Sequence, residues 1–414
     1  MSSPSPLAAR SIEGVLPPVI PGIGALIAQR PGCLSLAQGM VRWGPPPQVA
    51  AAVAEALCAD GMDLHRYGPM AGEPQLLEAL HRELAGRRGL DLDGSALLVT
   101  AGSNMAFHAI ARVLCDPGDE VIVPLPWYFN HVMAIQLAGG VCVPVDAGLV
   151  PDPDRLAAAI TTRTRAIVTV SPNNPSGVVT PPPLLAAINR LCAERGLLHI
   201  SDEAYADFVH GEVPHHSPGR ASGSAAHTAS LFSLSKSHGM AGWRVGFAAV
   251  PRVLLEPLAK VQDTVLISPP QASQRAALAA LAVDPSWLEE RLESLRPRRL
   301  QLLAAVAQAR DAGLDLDLLA EPDGAFYALL DCEIDPRLAS GSRSRGDPQR
   351  NHDASWSLLR HLVLDHGVAA LPGDAFGLPP RPGRAALRLS YGMLSEAELA
   401  EALGRLWAGL EPDA

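Results

Sequence analysis

An α/β fold is predicted, with a mainly parallel, doubly wound sheet in a large domain and a second, smaller α+β domain. Between about residues 96 and 250, short β-branched runs alternate with amphipathic helical stretches, which is the pattern of βαβ units on a parallel sheet. Hydrophobic residues make up 48% of the 414 residues and charged residues 18%, which is enough to bury a large core. Beyond Pro285 the pattern changes to long helices with few strands, and this change indicates the second domain.

Seven strands are expected in the large domain, with helices between them. The strands are predicted at residues 96–100, 120–124, 141–145, 166–170, 197–201, 230–233 and 245–250. The helices are predicted at residues 104–114, 129–137, 153–160 and 184–194. A doubly wound sheet binds its ligands beyond the carboxyl ends of its strands, so the functional site is expected at that edge.

The domain limits follow from the same change of pattern. Residues 1–45 are rich in proline and glycine, and we expect them to form an N-terminal arm that joins the small domain. The large domain is predicted at residues 46–285 and the small C-terminal domain at residues 286–414.

The small domain has its own predicted elements. They are a long Arg- and Leu-rich helix after Pro285, a hairpin-like segment at 324–330, a helix at 354–366 and a strand at 386–389. Residues 339–353 are polar without apolar periodicity, which predicts a mobile loop.

Charge and composition exclude several classes of partner. The net charge of -10 opposes binding to nucleic acid, and no Lys/Arg run forms a basic patch. No stretch of about 18 apolar residues is present, so no membrane span is expected. The first ten residues lack the apolar core of a secretory signal, and a cytoplasmic protein is expected. Six scattered cysteines without a Cys-x-x-Cys pair predict neither a metal site nor disulfides.

Lysine is unusually scarce in this chain. Only Lys236 and Lys260 are present, so the other 31 of the 33 basic residues are arginines. Unlike arginine, a lysine can lose its proton and attack a carbonyl. Lys236 follows a predicted strand and lies between Ser233, Ser235 and Arg244, which are suited to hold a phosphate dianion. The alternative for this segment is a surface turn with a solvated lysine.

The segment from Ser233 to Gly246, reading SLSKSHGMAGWRVG, resembles the Schiff-base lysine motif of fold-type-I pyridoxal-phosphate aminotransferases of class I/II. The resemblance runs over most of the chain. It implies pyridoxal 5'-phosphate as the cofactor, with Lys236 as the catalytic residue that binds it covalently and Arg244 on its phosphate. Lys260 lies in a helical context and is expected to be an ordinary exposed lysine.

Two further segments match the same family. The strand at 197–201 ends in Asp202, and Tyr205 follows three residues later. The resemblance implies catalytic roles for both, with Asp202 on the pyridine nitrogen and Tyr205 on the ring hydroxyl; the alternative is a helix cap and a core tyrosine. Asn174, in a turn that resembles the Asn-Pro-x-Gly element of the family, would contact the ring hydroxyl and the substrate carboxylate.

The first half of the large domain adds possible cofactor contacts. Ser103 and Asn104 lie between a strand and a helix, where backbone N–H groups can hold phosphate, although such a serine can also merely cap the helix. The family places an aromatic side chain on the pyridine face, and spacing from Pro126 favours Tyr128 over Trp127. His131 is either a partner of Asp202 or a core histidine.

Substrate contacts are expected from the arm and the last strand. Arg388 lies inside an apolar strand, where a buried guanidinium needs an anion, and the family uses the matching arginine for the α-carboxylate. The alternative for Arg388 is a solvated position on an edge strand. Gly39 would add a backbone contact, and an apolar pocket near Trp43 would take the substrate side chain. No arginine occurs between residues 261 and 270, where aspartate aminotransferases carry one for a second carboxylate.

The resemblance therefore implies an aminotransferase that acts on an L-amino acid and a 2-oxo acid. The strings around Trp43 and Tyr128 look most like the aromatic and methionine aminotransferases, and more distantly like the kynurenine/glutamine ones, so aromatic or methionine-like substrates are favoured. The alternatives are a lyase on the same fold, such as a cysteine-conjugate β-lyase or a cyclopropane-forming synthase, and a non-catalytic regulator. Tyr67 matches a tyrosine that crosses to the cofactor phosphate of the partner subunit, which implies a homodimer with shared active sites.

Overall fold

The large sheet has seven strands and follows the predicted pattern closely. The computed structural model describes residues 7–59, 63–339 and 354–411. The described strands are β1 (Leu34–Ser35), β2 (Ser95–Thr100), β3 (Glu120–Pro124), β4 (Val141–Val145), β5 (Thr164–Val170), β6 (Leu198–Asp202), β7 (Thr228–Ser233), β8 (Gly246–Pro251), β9 (Leu316–Leu318), β10 (Tyr327–Glu333), β11 (Val368–Ala369), β12 (Leu371–Pro372) and β13 (Arg384–Ser390). Strands β2 to β8 form the large sheet.

Helices alternate with the strands from β2 to β6, whereas β6, β7 and β8 follow one another with only short 3-10 turns between them. The helices of the described residues are α1 (Arg10–Glu13), α2 (Val19–Ile27), α3 (Pro47–Cys58), α4 (Pro74–His81), α5 (Ser103–Leu114), α6 (Phe129–Ala138), α7 (Pro153–Ala158), α8 (Pro182–Arg195), α9 (Leu255–Leu266), α10 (Gln271–Leu281), α11 (Pro285–Glu293), α12 (Arg296–Asp311), α13 (Pro336–Ala339), α14 (Ala354–Leu364) and α15 (Glu396–Ala408). A π-helical turn, Arg82–Arg87, extends α4. Within the described ranges, none of the helices is both long enough and apolar enough to span a bilayer.

The strand order of the large sheet is β2-β8-β7-β6-β5-β3-β4, and β8 alone runs against its neighbours. Side chains alternate between two cores, as the two-residue period of a strand requires. In β7, Leu231 packs into the core beneath α5 and α6, and Phe232 packs into the core beneath α3, α4 and α10. Both faces are thus covered, which is the doubly wound arrangement predicted from the sequence.

The carboxyl ends of three parallel strands meet at one edge of the large sheet. Strands β5, β6 and β7 end at Val170, Asp202 and Ser233, and they are hydrogen-bonded neighbours. β2 ends nearby at Thr100, because it pairs with β8 in antiparallel register and β8 begins beside the end of β7. This edge is where a ligand site is expected.

The C-terminal part forms a separate four-stranded antiparallel sheet of order β12-β13-β10-β9. The arm joins it, because β1 pairs in parallel with β11 and the Leu36 carbonyl accepts from the Ser390 amide. The predicted hairpin at 324–330 is wrong: Gly324 bridges to Val209, Ala325 and Phe326 form a turn, and the strand after it, β10, pairs with β9 and β13. The domain limits at residues 45 and 285 stay a proposal, and the predicted loop at 339–353 lies outside the described residues except for Ala339.

Candidate active site

A cavity of about 340 Å³ lies at the carboxyl edge of the large sheet. Its lining residues are Ile20, Gln38, Gly39, Met40, Ser103, Asn104, Tyr128, Phe129, Val170, Asn174, Asp202, Ala204, Tyr205, Ser233, Ser235, Lys236, Arg244, Tyr327 and Arg388. The structure therefore brings together all of the predicted site residues except Trp43 and Tyr67. The volume is in the range of small-ligand and cofactor pockets, which start at about 300 Å³.

Lys236 lies three residues after the end of β7 and lines the cavity. Its Nζ atom donates to the backbone carbonyl of Gly39. Burial, together with the positive charges of Arg388 and Arg244, lowers the pKa of Lys236 to about 8. The neutral amine, which is the nucleophilic form, is therefore accessible near neutral pH. Lys260 is exposed and pairs with Glu256 at 3.5 Å on the surface of α9, as the sequence predicted.

A phosphate-sized cradle is built where α5 begins. The first amides of a helix have no partner within the helix, and Ser103 and Asn104 supply them at the cavity wall. A Cβ atom added to Gly246 would lie 2.5 Å from the Ser103 nitrogen, so this approach requires glycine. Arg244 adopts a left-handed φ of 49° and donates to the Ala241 carbonyl at 2.9 Å, which holds its guanidinium at the cradle.

Two serines of the lysine loop complete the polar wall of this cradle. The Ser233 hydroxyl donates to the Ser235 hydroxyl at 2.8 Å, and the Ser235 amide donates to the Ser233 hydroxyl oxygen at 3.1 Å. Among the described residues no ion pair involves Arg244, so its charge is available to an anion at the cradle. The cluster of hydroxyls, helix amides and one guanidinium is the donor set that a phosphate dianion requires.

Asp202 ends β6 and is 6% exposed. Its Oδ1 atom accepts from the Ala204 amide at 3.1 Å, and its Oδ2 atom lies 3.0 Å from Nε2 of His131. His131 is also part of the core, because its ring stacks on Phe107 with centroids 4.0 Å apart. Both alternatives for His131 therefore hold at once: it is a buried histidine, and it is the partner of Asp202.

Tyr128, rather than Trp127, lines the cavity. The Tyr128 ring meets the His131 ring edge-on, with centroids 5.2 Å apart, and its hydroxyl accepts from Asn130 at 2.9 Å. Burial raises the pKa of Tyr128 to about 12, so the phenol stays neutral. The Trp127 indole turns away and donates to the Ala375 carbonyl at 3.2 Å.

Arg388, Asn174 and Tyr205 form a connected polar group opposite the lysine. Arg388 donates through Nη1 to Oδ1 of Asn174 at 2.8 Å, which turns the Asn174 amide nitrogen towards the Tyr205 hydroxyl, 3.5 Å away. Arg388 also donates to the carbonyl of Ala37. Burial raises the pKa of Tyr205 well above that of a free tyrosine, so this group is a hydrogen-bond donor.

Arg388 is 2% exposed and carries an uncompensated charge. In the part of the chain that the structure describes, no carboxylate pairs with it, and its Nε atom has no hydrogen-bond partner. Burial lowers its pKa, but a guanidinium still keeps its proton. A buried, unpaired guanidinium at a cavity wall is a receptor for a carboxylate, since an anion there would satisfy both its charge and its free donor.

Two predicted residues lie elsewhere. The Trp43 indole donates to the carbonyl of Ser237 at 3.0 Å, beside the lysine, because the backbone of residues 43 and 44 packs against Gly239. Trp43 does not line the cavity itself, and its predicted contact with the substrate stays a proposal. Tyr67 is 78% exposed and lies on a different surface, next to Gln271, so it does not reach the cavity of its own chain.

Sequence reasoning missed several residues that line the cavity. Tyr327 is completely buried there, and its hydroxyl lies 2.8 Å from the Tyr205 hydroxyl. Ile20 and Met40 line the cavity while 46% and 40% exposed, respectively. A tyrosine inside the apolar run 325–330 was the one available signal for Tyr327; no motif marked Ile20 or Met40.

The residues present fit pyridoxal 5'-phosphate. The cradle formed by Ser103 and Arg244 suits its phosphate, and Asp202 is placed to bind the protonated ring nitrogen. Lys236 provides the amine that its aldehyde requires. Arg388 remains as an unpaired cation, which matches the carboxylate of an amino acid or a 2-oxo acid.

Comparison with known proteins agrees with this chemistry. The family model described as aminotransferase class I and II matches residues 31–406. Aromatic aminotransferase ISS1 of Arabidopsis thaliana is 34% identical over 404 residues, which cover 95% of this chain and 94% of that protein. Aspartate/prephenate aminotransferase of Thermus thermophilus is 34% identical over 379 residues, which cover 90% of this chain and 89% of that protein.

The fold is also similar to that of solved aminotransferase structures. The solved structure of the aspartate aminotransferase of Thermus thermophilus with maleate matches with a TM-score of 0.83 and 31% sequence identity, covering 97% of this chain and 99% of that chain. The mainly parallel seven-stranded sheet with helices on both faces is that of the fold-type-I enzymes that depend on pyridoxal phosphate. On the family model, the relatives and the fold together, this chain belongs to the class I and II aminotransferases and is a pyridoxal-phosphate-dependent enzyme.

Proposed function

We propose that this aminotransferase transfers the amino group of an L-amino acid with an aromatic or methionine-like side chain to a 2-oxo acid. The observation that carries the proposal is the number of cations at the cavity. Among the described residues that line it, only Lys236, Arg244 and Arg388 are basic. The lysine holds the cofactor, Arg244 its phosphate and Arg388 the substrate α-carboxylate, so this chain leaves no cation for a second carboxylate.

The rim of the cavity supports the same substrate class. Ile20 on α2 and Met40 after Gly39 both line the cavity and keep about half of their surface open to solvent. An apolar substrate side chain would cover this surface and gain about 25 cal/mol per Å² that it removes from water. We propose that Ile20 and Met40 belong to the apolar pocket that the sequence predicts near Trp43.

The names of the relatives do not decide the substrate. Those described above act, by name, on aromatic amino acids, on aspartate and on prephenate, and a further relative from Pseudomonas aeruginosa is an arginine–pyruvate transaminase that is 33% identical over 352 residues. All are aminotransferases, so transamination is the reaction, and neither the lyases nor the non-catalytic regulator is favoured.

The roles of the site residues follow from their positions. When bound, the cofactor supplies an aldehyde for covalent attachment and a ring that accepts electrons from the substrate α-carbon. Asp202 would keep the ring nitrogen protonated, and Tyr205 and Asn174 would donate to the ring oxygen. Arg388 and the Gly39 backbone would orient the substrate carboxylate. The Lys236 amine would remove the proton of the substrate α-carbon and return it.

We further propose a homodimer in which Tyr67 completes the active site of the partner subunit. Tyr67, Val265 and Ile267 are exposed apolar or aromatic side chains, at 78%, 56% and 45%. Their loops are joined, since the Gly68 amide donates to the Ser268 hydroxyl at 3.2 Å. Ile267 has a φ of 65°, which is unfavourable for a β-branched residue and is compatible with a position fixed by a partner.

A cytoplasmic location is proposed from cysteine usage. All six cysteines are free, and Cys115, Cys192 and Cys332 are buried as small apolar side chains. Reduced, scattered cysteines are typical of proteins in a reducing compartment.

The test of the substrate class is a panel of amino acids mixed one at a time with the loaded enzyme. Loss of the absorbance of the lysine-bound cofactor gives the rate for each amino acid, and release of the 2-oxo acid confirms transamination. We expect fast conversion with Phe, Tyr, Trp or Met and slow conversion with Asp. The reverse order would overturn the substrate proposal and leave the aminotransferase assignment intact.

A further inference from the structure

Tyr327 occupies the centre of the active-site wall, although no motif pointed to it. It is the first residue of β10 and is completely buried. Its hydroxyl lies 2.8 Å from that of Tyr205, and its ring face lies 4.3 Å from the guanidinium carbon of Arg388. A Cβ atom on Gly39 would come within 2.5 Å of the Tyr327 hydroxyl, so the arm closes directly over this phenol.

The sheet register explains how one residue reaches both neighbours. In the antiparallel pair of β10 and β13, Tyr327 lies opposite Ser390, and Leu329 lies opposite Arg388. Residues two apart on a strand share a face, so Tyr327 and Arg388 are diagonal neighbours on the same side of the small sheet. This is the side that meets the carboxyl edge of the large sheet, where Tyr205 lies.

The hydrogen bonds around Tyr205 determine which of the two hydroxyls, that of Tyr205 or that of Tyr327, donates to the other. Arg388 can only donate, so Oδ1 of Asn174 faces it and the Asn174 amide nitrogen faces the Tyr205 oxygen. When Tyr205 gives its own proton to an acceptor in the cavity, its oxygen can no longer give that proton to Tyr327. The 2.8 Å contact must then be a donation from Tyr327 to Tyr205.

We propose that Tyr327 is a positioning residue of this enzyme: its hydroxyl donates to Tyr205 and so directs the Tyr205 proton to the cofactor oxygen, while its ring holds Arg388 ready for the substrate carboxylate. The proposal rests on the proposed roles of Tyr205 and Arg388. A phenol that receives a hydrogen bond becomes a better donor, because chains of hydrogen bonds polarise one another. A guanidinium over an aromatic face is attracted to it and loses freedom to rotate.

The hydroxyl is tested with Tyr327→Phe in the loaded enzyme. The pH titration of the cofactor absorbance reports the protonation of the lysine–cofactor linkage. This protonation is favoured when the ring oxygen of the cofactor loses a hydrogen-bond donor, so the midpoint then rises. We expect the midpoint of Tyr327→Phe to rise by about 0.4 to 1 pH unit relative to the unsubstituted enzyme. An unchanged midpoint would overturn the role of the hydroxyl.

Tyr391→Phe is the matched control for this titration. Tyr391 belongs to the same apolar cluster and is completely buried, and its hydroxyl has no hydrogen-bond partner among the described residues. It does not line the cavity, so the control should keep the midpoint of the unsubstituted enzyme. A shift of equal size in both variants would mean that loss of any buried phenol hydroxyl moves the midpoint, and would also overturn the role of the Tyr327 hydroxyl.

The ring is tested separately by binding of 3-phenylpropionate, a carboxylate without an amino group. Calorimetry should give Tyr327→Phe a Kd near that of the unsubstituted enzyme and Tyr327→Leu a Kd about 2- to 30-fold weaker, since only the leucine variant lacks the aromatic face. Equal Kd values for the two variants would overturn the role of the ring.

If Tyr327→Leu does not fold, Tyr327→Trp is the second variant, because it keeps a larger aromatic face. It should bind at least as tightly as Tyr327→Phe, and weaker binding would count against the proposal. Failure of the substrate proposal would instead appear in the unsubstituted enzyme, as faster conversion with Asp than with Phe, Tyr, Trp or Met.

Discussion

Nε2 of His131 lies 3.0 Å from Oδ2 of Asp202, and both side chains are buried at the carboxyl end of the large sheet. An ionised carboxylate only accepts hydrogen bonds, so Nε2 of His131 carries a proton and donates. The histidine therefore holds the Asp202 carboxylate in place for the ring nitrogen of a bound cofactor.

His131→Phe should weaken cofactor binding. The substitution keeps a ring next to Phe107 and removes the donor, so we expect the Kd of pyridoxal phosphate to rise by about 10-fold or more, as for loss of a hydrogen bond to a charged group. Fluorescence titration of the apoprotein measures this Kd. His131→Gln, which retains an N–H donor, should recover part of the loss, and equal defects in the two variants would contradict the role of the hydrogen bond.

Lys236→Ala should abolish covalent cofactor binding and transamination, whereas Lys260→Ala should change neither. Lys260 is a matched control because it is the only other lysine and is exposed on α9. Borohydride reduction of the loaded enzyme followed by peptide mapping identifies the attached lysine. A label on Lys260 would overturn the site assignment.

The rate at which the apoprotein takes up pyridoxal phosphate should rise with pH around a midpoint near 8. Only the neutral amine attacks the aldehyde, and burial together with the charges of Arg388 and Arg244 lowers the pKa of Lys236 to about 8. Stopped-flow absorbance measures the rate. Arg388→Gln removes one of the two positive charges and should move the midpoint upward; a midpoint at the ordinary lysine value of about 10.4 in the unsubstituted protein would contradict the prediction.

Arg388→Lys should raise KM for amino acids and lower kcat/KM by about 10- to 150-fold, because an ammonium cannot make the paired contacts of a guanidinium fork to a carboxylate. Steady-state kinetics with phenylalanine measures the loss. Arg384→Lys, at the start of the same strand, is the control, since Arg384 pairs with Asp331 at 2.7 Å outside the cavity. Similar losses in the two variants would point to a general defect of β13.

Tyr67→Phe should weaken cofactor retention by about 1.5 to 3 kcal/mol, the value of a hydrogen bond to a charged group. The subunit that uses Tyr67 is identified with a mixed dimer of Tyr67→Phe and Lys236→Ala chains. If Tyr67 acts across the interface, the Lys236-bearing site of this dimer receives an intact Tyr67 and retains cofactor as the unsubstituted enzyme does. Retention no better than in the Tyr67→Phe homodimer would show that Tyr67 serves its own subunit.

The sequence predicts those parts of the site that lie at strand ends. Asp202 and Ser233 end neighbouring parallel strands, so the topology alone brings them together. The predicted strands also match β2 to β8 within about two residues at each end. Much of this part of the fold is local in sequence, since β2, β3, β4, β5 and β8 are each followed by a helix.

The residues that sequence reasoning missed or misplaced come from distant parts of the chain. Tyr327 and Tyr205 are 122 residues apart, and their contact exists only because the small sheet packs against the edge of the large one. Trp43 lies beside the lysine loop because the backbone of Gly44 contacts Gly239, and the sequence does not reveal this contact. Long-range packing of this kind leaves no periodic signal.

The glycines at the phosphate cradle tolerate substitution less well than the residues at the rim of the cavity. Gly102 has a φ of 86°, which L side chains rarely adopt, and Gly246 has no room for a Cβ atom beside the Ser103 backbone. Ile20 and Met40, by contrast, are partly open to solvent, and replacing them disturbs little packing. In directed evolution of this enzyme, we therefore expect single substitutions at Ile20 and Met40 to change the substrate preference, and we expect substitutions at Gly102 and Gly246 to impair cofactor binding.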